Sequence, residues 1–93
     1  MIIAVDYDGT LDINGTLNEQ LIGFLKAKQA MGNTVILWTC RDGRSLQEAV
    51  TNLAKAGLRP NYVNANCPQA VKMLGHDSRK VYADIYIDDR GVK

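Results

Sequence analysis

Asp6 and Asp8 stand two residues apart, directly after the apolar run Ile2 to Val5, and Gly9 follows them. A second acidic pair, Asp88-Asp89, follows another apolar stretch that ends at Ile87. Two carboxylates in different surroundings can divide labour. One stays ionised as a nucleophile, and the other carries a proton to a leaving group and later activates water. Carboxylates drawn together also raise one another's pKa, and a cation relieves that repulsion. Oxygen donors without His or Cys favour a hard metal, and beside a phosphate that metal is Mg²⁺. Thr39 offers a hydroxyl, and the backbone N–H that follows it, at Cys40, offers a donor for phosphoryl oxygens. Lys80 precedes the last apolar run closely enough to bring a positive charge to the same place. Arg41, two residues after Thr39, can hold a second phosphate or a substrate carboxylate.

These residues need a frame. Ile2 to Val5 reads as a short strand buried on both faces, Thr34 to Thr39 as a second, Tyr62-Val63 as a weaker one and Tyr82 to Ile87 as the last. Between them the spacing predicts helices. Thr16 and Glu19 have capping-box spacing ahead of the stripe Leu17, Leu21, Phe24 and Leu25, with Gly32 as the stop. Ser45 and Glu48 repeat the spacing ahead of Leu46, Ala49, Val50, Leu53 and Ala54, with Gly57 closing. A short helix is expected from Pro68 to Leu74. Alternating strands and helices imply right-handed crossovers and a parallel sheet with helices on both faces, a three-layer, Rossmann-like α/β fold. Ligands bind such sheets beyond the carboxyl ends of the strands. Asp6, Asp8, Thr39, Asp88 and Asp89 all fall there.

The chain of 93 residues has room for one domain, 1–93. Its 11 basic and 10 acidic side chains leave a net charge of +1, which argues against a nucleic-acid track or an anionic membrane as partner. No apolar run approaches the ~20 residues of a membrane span. The N-terminus lacks the basic flank of a signal peptide. Cys40 and Cys67 have neither C-x-x-C nor zinc spacing and read as reduced thiols, so a cytoplasmic location is expected.

Singly, each motif has a plain alternative. D-x-D-G makes an ordinary turn, an acidic pair at a strand end is often solvated, and Thr39 and Lys80 suit a strand and a surface. In their order along the chain they resemble the haloacid dehalogenase (HAD) superfamily of phosphatases. Val5-Asp6-Tyr7-Asp8-Gly9-Thr10 matches that family's first motif, Thr39 its second, Lys80 its third, and Ile87-Asp88-Asp89 its fourth. The resemblance covers nearly the whole chain. It implies a phosphoric monoester hydrolase in which Asp6 attacks phosphorus and Asp8 acts as general acid and then base. Mg²⁺ would be held by Asp6, by the backbone carbonyl of Asp8 and by one or both of Asp88 and Asp89. Thr39, Cys40, Arg41 and Lys80 would bind the substrate, Thr39 and Lys80 also serving catalysis.

Neither interval between motifs has room for a cap domain, so the HAD-like core is expected to be capless and its site open. The sheet is expected to have about four strands in the order 3-2-1-4, with the last at an edge. A homo-oligomer would cover both the edge and the site. The expected substrate is a phosphorylated small molecule, nucleotide-like or another small ester. Two readings compete. One is a non-catalytic module binding Mg²⁺ and phosphate. The other is a receiver-type phospho-accepting domain, against which the D-x-D spacing and the middle-strand Thr39 both count.

Overall fold

The computed structural model describes residues 1–77 and 81–92. Lys80 lies outside the described residues. The chain runs β1 (Ile2–Val5), β2 (Asp12–Ile13), β3 (Thr16–Leu17), α1 (Glu19–Ala30), β4 (Thr34–Leu37), α2 (Gly43–Lys55), β5 (Tyr62–Val63), α3 (Pro68–Leu74), β6 (Ile85–Asp88) and β7 (Gly91–Val92). The main sheet has five strands in the order β5-β4-β1-β6-β7. Its first four strands are parallel, and β7 returns antiparallel along β6. The sequence reading puts the last parallel strand at an edge; the structure corrects this, because β7 pairs along β6. A tight turn at Asp89-Arg90, where the Arg90 N–H donates to Asp88 Oδ1 (2.8 Å), folds the chain back to cover it.

The apolar strands earn their places by burial on both sides. On one face Ile3, Val5, Val35, Leu37 and Ile87 meet Ile22 and Leu25 of α1 and Ala49 and Leu53 of α2 in the main core. On the other face Ala4 and Ile36 pack with Val81 and Ala83, beside the partly buried Tyr62 and Tyr86. No described helix is long and apolar enough to cross a membrane.

Three local expectations are corrected. Thr16 and Leu17 do not begin α1. They pair with Asp12 and Ile13 in a two-stranded hairpin whose turn, Asn14-Gly15, has φ of 53° and 84°. Asn and Gly are the residues that tolerate that left-handed pair. The helix cap is Asn18, whose Oδ1 accepts from the Leu21 N–H at 3.1 Å. Of the expected stripe Leu25 is buried, joined in the core by Ile22, while Phe24 is exposed, where the Lys28 ammonium lies 5.4 Å from its ring centre. Likewise α2 is capped at Asp42, and Ser45 sits inside the first turn. Finally, the last parallel strand begins at Ile85. Residues 81–84 form a loop instead, held because the Tyr86 hydroxyl donates to the Val81 carbonyl (2.5 Å) and accepts from the Ala83 N–H (3.0 Å).

Candidate active site

Register decides which side chains meet at the carboxyl edge. Val5 pairs with both Leu37 and Ile87, so one step on, Asp6, Trp38 and Asp88 form a row on one side of the sheet. The Asp6 N–H donates to the Ile87 carbonyl (2.9 Å) and the Trp38 N–H to the Val5 carbonyl (2.9 Å), which carries the ladder to that row. Asp6 thus leaves the central strand on a rigid backbone. Its Oδ1 accepts from the Tyr7 N–H at 2.8 Å.

Asp6 is half-buried, and burial pushes its pKa above the ordinary aspartate value. The Tyr7 N–H opposes this, while the charges of Asp8, Asp89 and Asp88 add to it. Three further carboxylates therefore press on one. Gly9 sits against this cluster. Its φ is +77°, and a Cβ there would stand 3.4 Å from the Asp89 Cβ.

Asp8 is placed differently. It is exposed, and Arg41 grips it with two bonds, Nε to Oδ2 at 2.9 Å and Nη2 to Oδ1 at 2.8 Å. The same guanidinium donates to the Ser45 carbonyl (3.2 Å) and lies 4.7 Å from the centre of the Tyr7 ring. The bond from Arg41 holds the Asp8 pKa below the ordinary value despite some desolvation. Arg41 was expected to face substrate; in this structure its fork is occupied by Asp8. In this structure Asp8 is held as a stabilised carboxylate.

Thr39, expected to end its strand, lies two residues beyond β4, which stops at Leu37. Its hydroxyl accepts from the Arg41 N–H at 3.2 Å, and its own N–H donates to Asn64 Oδ1 at 2.8 Å. Cys40 is an exposed free thiol, and Cys67 a buried one. Asp88 accepts from the Arg90 N–H. A hollow of about 260 Å³ is lined by Asp6, Trp38, Thr39, Cys40, Tyr86 and Asp88, among others. A shallower groove of about 480 Å³ runs past Gly9, Asp88 and Asp89 on the side of Phe24. Arg41 and Asp8 line neither of them.

The donor chemistry around Asp6 suits a hard cation: carboxylates, backbone carbonyls and a hydroxyl, with the acids' mutual repulsion to relieve. Among the described residues, no three His, Cys, Asp or Glu side chains stand close enough to form a ready-made cage. Mg²⁺ tolerates this, because it commonly takes one or two carboxylates and completes its shell with water and phosphate.

Asn64 carried no flag in the sequence, and Thr10 entered only as the end of the first motif. Asn64 has φ of 51° and its N–H donates to the Leu37 carbonyl (2.8 Å), so it fixes Thr39 from the neighbouring strand. The readable signal was an Asn just past a strand, a residue type that tolerates the left-handed region. Thr10 is 5% exposed, and its hydroxyl has no hydrogen-bond partner among the described residues.

No protein-family model matches the chain, and comparison with curated proteins likewise found no match. A solved structure does: a conserved protein from Bacteroides thetaiotaomicron, 35% identical, with a TM-score of 0.83 over 98% of this chain and 77% of that one. The chain belongs to the family of that conserved protein. The match establishes kinship and fold, and the activity has to be argued from the site.

Proposed function

We propose that the protein is a Mg²⁺-dependent phosphohydrolase with a capless HAD-like core, acting on small phosphomonoesters through a phosphorylated Asp6. The observation that carries this is the position of Asp6: at the end of the central strand, beside Thr39 and Asp88 in one hollow, with the charges of Asp8, Asp88 and Asp89 on it. A lone turn-forming acid would have no reason to be desolvated among like charges, which is costly without a cation.

In this reading Asp6 attacks phosphorus in line, and the bond from phosphorus to the ester oxygen breaks. Asp8 gives a proton to that oxygen, then takes one from the water that attacks the aspartyl phosphate, releasing inorganic phosphate and restoring Asp6. Thr39 and the Cys40 N–H hold phosphoryl oxygens, and the order of motifs assigns Lys80 the neutralising charge. Asp6, the Asp8 carbonyl and one or both of Asp88 and Asp89 would hold Mg²⁺, which supplies charge neutralisation to the transferring group. Asp8 can carry a proton only once Arg41 lets go of it, so the grip described above belongs to the resting protein. The exposed Cys40 and buried Cys67 suit a reducing, cytoplasmic setting. A second copy of the chain is the natural cover for an uncapped site.

The test is hydrolysis of 4-nitrophenyl phosphate with and without Mg²⁺, beside Asp6→Asn. Turnover that needs the metal and disappears in the variant supports the proposal. One observation favours a second reading, a module that binds Mg²⁺ and phosphate without turnover: the Arg41 grip that keeps Asp8 ionised. A folded protein that binds Mg²⁺ yet shows no Asp6-dependent turnover selects that reading.

A further inference from the structure

Trp38 is 36% exposed although it directly follows the buried Val35, Ile36 and Leu37. Beneath the row of Asp6, Trp38 and Asp88 lies the row of Ile36, Ala4 and Tyr86, with Ala4 paired to both neighbours. Ala4, small and 1% exposed, packs with Ile36, Val81 and Ala83 and also lines the hollow that holds Asp6 and Trp38. Tyr86 walls one side, its hydroxyl fixed by Val81 and Ala83 so that the ring cannot swing. Trp38 leans on it, with ring centres 5.6 Å apart and planes tilted by 56°. At that separation the two rings touch each other and form a platform, with no slot between them for a third ring. The platform, Asp6 and Thr39 line the same hollow of about 260 Å³. That is just under the roughly 300 Å³ at which small-molecule pockets begin, so it suits one ring system close to the ester oxygen. Among the described lining residues there is no basic side chain, so beyond the phosphoryl group the ligand meets aromatic faces and no second positive charge.

We infer that Trp38, seated on Tyr86, selects phosphomonoesters whose leaving group carries an aromatic ring. This rests on the phosphohydrolase reading for its chemistry and on the platform for its selectivity. The test compares benzyl phosphate with propyl phosphate, two primary alkyl esters that differ in the ring. Wild type should favour the benzyl ester in kcat/KM. Trp38→Ala should cut the benzyl-to-propyl ratio by roughly tenfold, and Trp38→Phe should keep most of it. The ratio within one variant does not depend on how much of it folds. Turnover of both esters with a ratio unmoved in Trp38→Ala overturns the inference and leaves the phosphatase standing. Turnover of neither overturns the phosphatase, and the platform is then judged by binding. Trp38 is the sole tryptophan, so its emission reports the platform directly. Titration with benzylphosphonate should change that emission where propylphosphonate does not, and equal responses, or none, overturn the inference.

Discussion

Replacing Arg41 with Gln removes the charge that grips Asp8 and keeps much of the side chain's length. Three contacts are lost or weakened: the two-pronged bond to Asp8, the bond to the Ser45 carbonyl, and the cation over the Tyr7 ring at 4.7 Å. The ion pair is open to solvent, with side-chain exposures of 24% for Arg41 and 56% for Asp8, so screening limits it to about 0.5–1 kcal/mol. The ring contact adds roughly 0.5 kcal/mol. Arg41→Gln should therefore cost about 1–1.5 kcal/mol at neutral pH, near 4–8 °C in Tm per kcal/mol for a domain this size. The Asp8 pKa is depressed in the folded protein, so the pair's contribution is present above the unfolded value and fades as pH falls through the lower, folded one. Urea titrations of wild type, Asp8→Asn, Arg41→Gln and the double variant at pH 7 should give a coupling of about 0.5–1 kcal/mol that shrinks in high salt and in acid. A coupling near zero, or one indifferent to pH and salt, would refute the reasoning and assign Arg41 to packing alone.

Asp6→Asn should raise Tm in metal-free buffer, because the raised pKa of Asp6 means its charged form destabilises the fold. The gain should be full at neutral pH, shrink as pH falls through the raised value, and narrow when Mg²⁺ is added to wild type; thermal scans at several pH values check it. Asn64→Ala removes the acceptor for the Thr39 N–H and puts a Cβ residue without a helpful side chain at φ 51°. It should cost about 1–2 kcal/mol by urea unfolding and weaken phosphate binding by calorimetry. Thr10→Val fills the same volume without the hydroxyl that has no partner among the described residues, and should leave stability unchanged or raise it by up to about 1 kcal/mol in the same assay.

The readable parts of the fold were those set by composition over a few adjacent residues. Ile2 to Val5 and Val35 to Leu37 are apolar on both faces, which few structures other than a covered parallel sheet can satisfy. Gly75 closes α3 in the left-handed conformation, where a Cβ would be strained. The misreadings came where two local signals competed. Thr16 and Glu19 have capping-box spacing, but Asn14-Gly15 demands a hairpin, and pairing with Asp12 and Ile13 claimed Thr16 and Leu17 first. The strand β7 is two residues long, too short for any period to register. At the site, the row of Asp6, Trp38 and Asp88 follows from strand ends. The Asp8–Arg41 grip spans 33 positions and depends on where a long side chain turns, which no spacing rule reaches. Trp38 follows the buried Val35, Ile36 and Leu37 yet stays 36% exposed, which the apolar run alone does not reveal.

The most direct measurement is to find the phosphate on the nucleophile. Asp8→Asn removes the base that activates water, and 4-nitrophenyl phosphate has a leaving group good enough to depart without an acid. Mixing the variant with this ester and Mg²⁺, quenching in acid within a turnover, and mapping peptides by mass spectrometry should place a phosphoryl group on Asp6. Wild-type turnover with no phosphate on Asp6 in the variant, or with phosphate on another residue, would contradict the account.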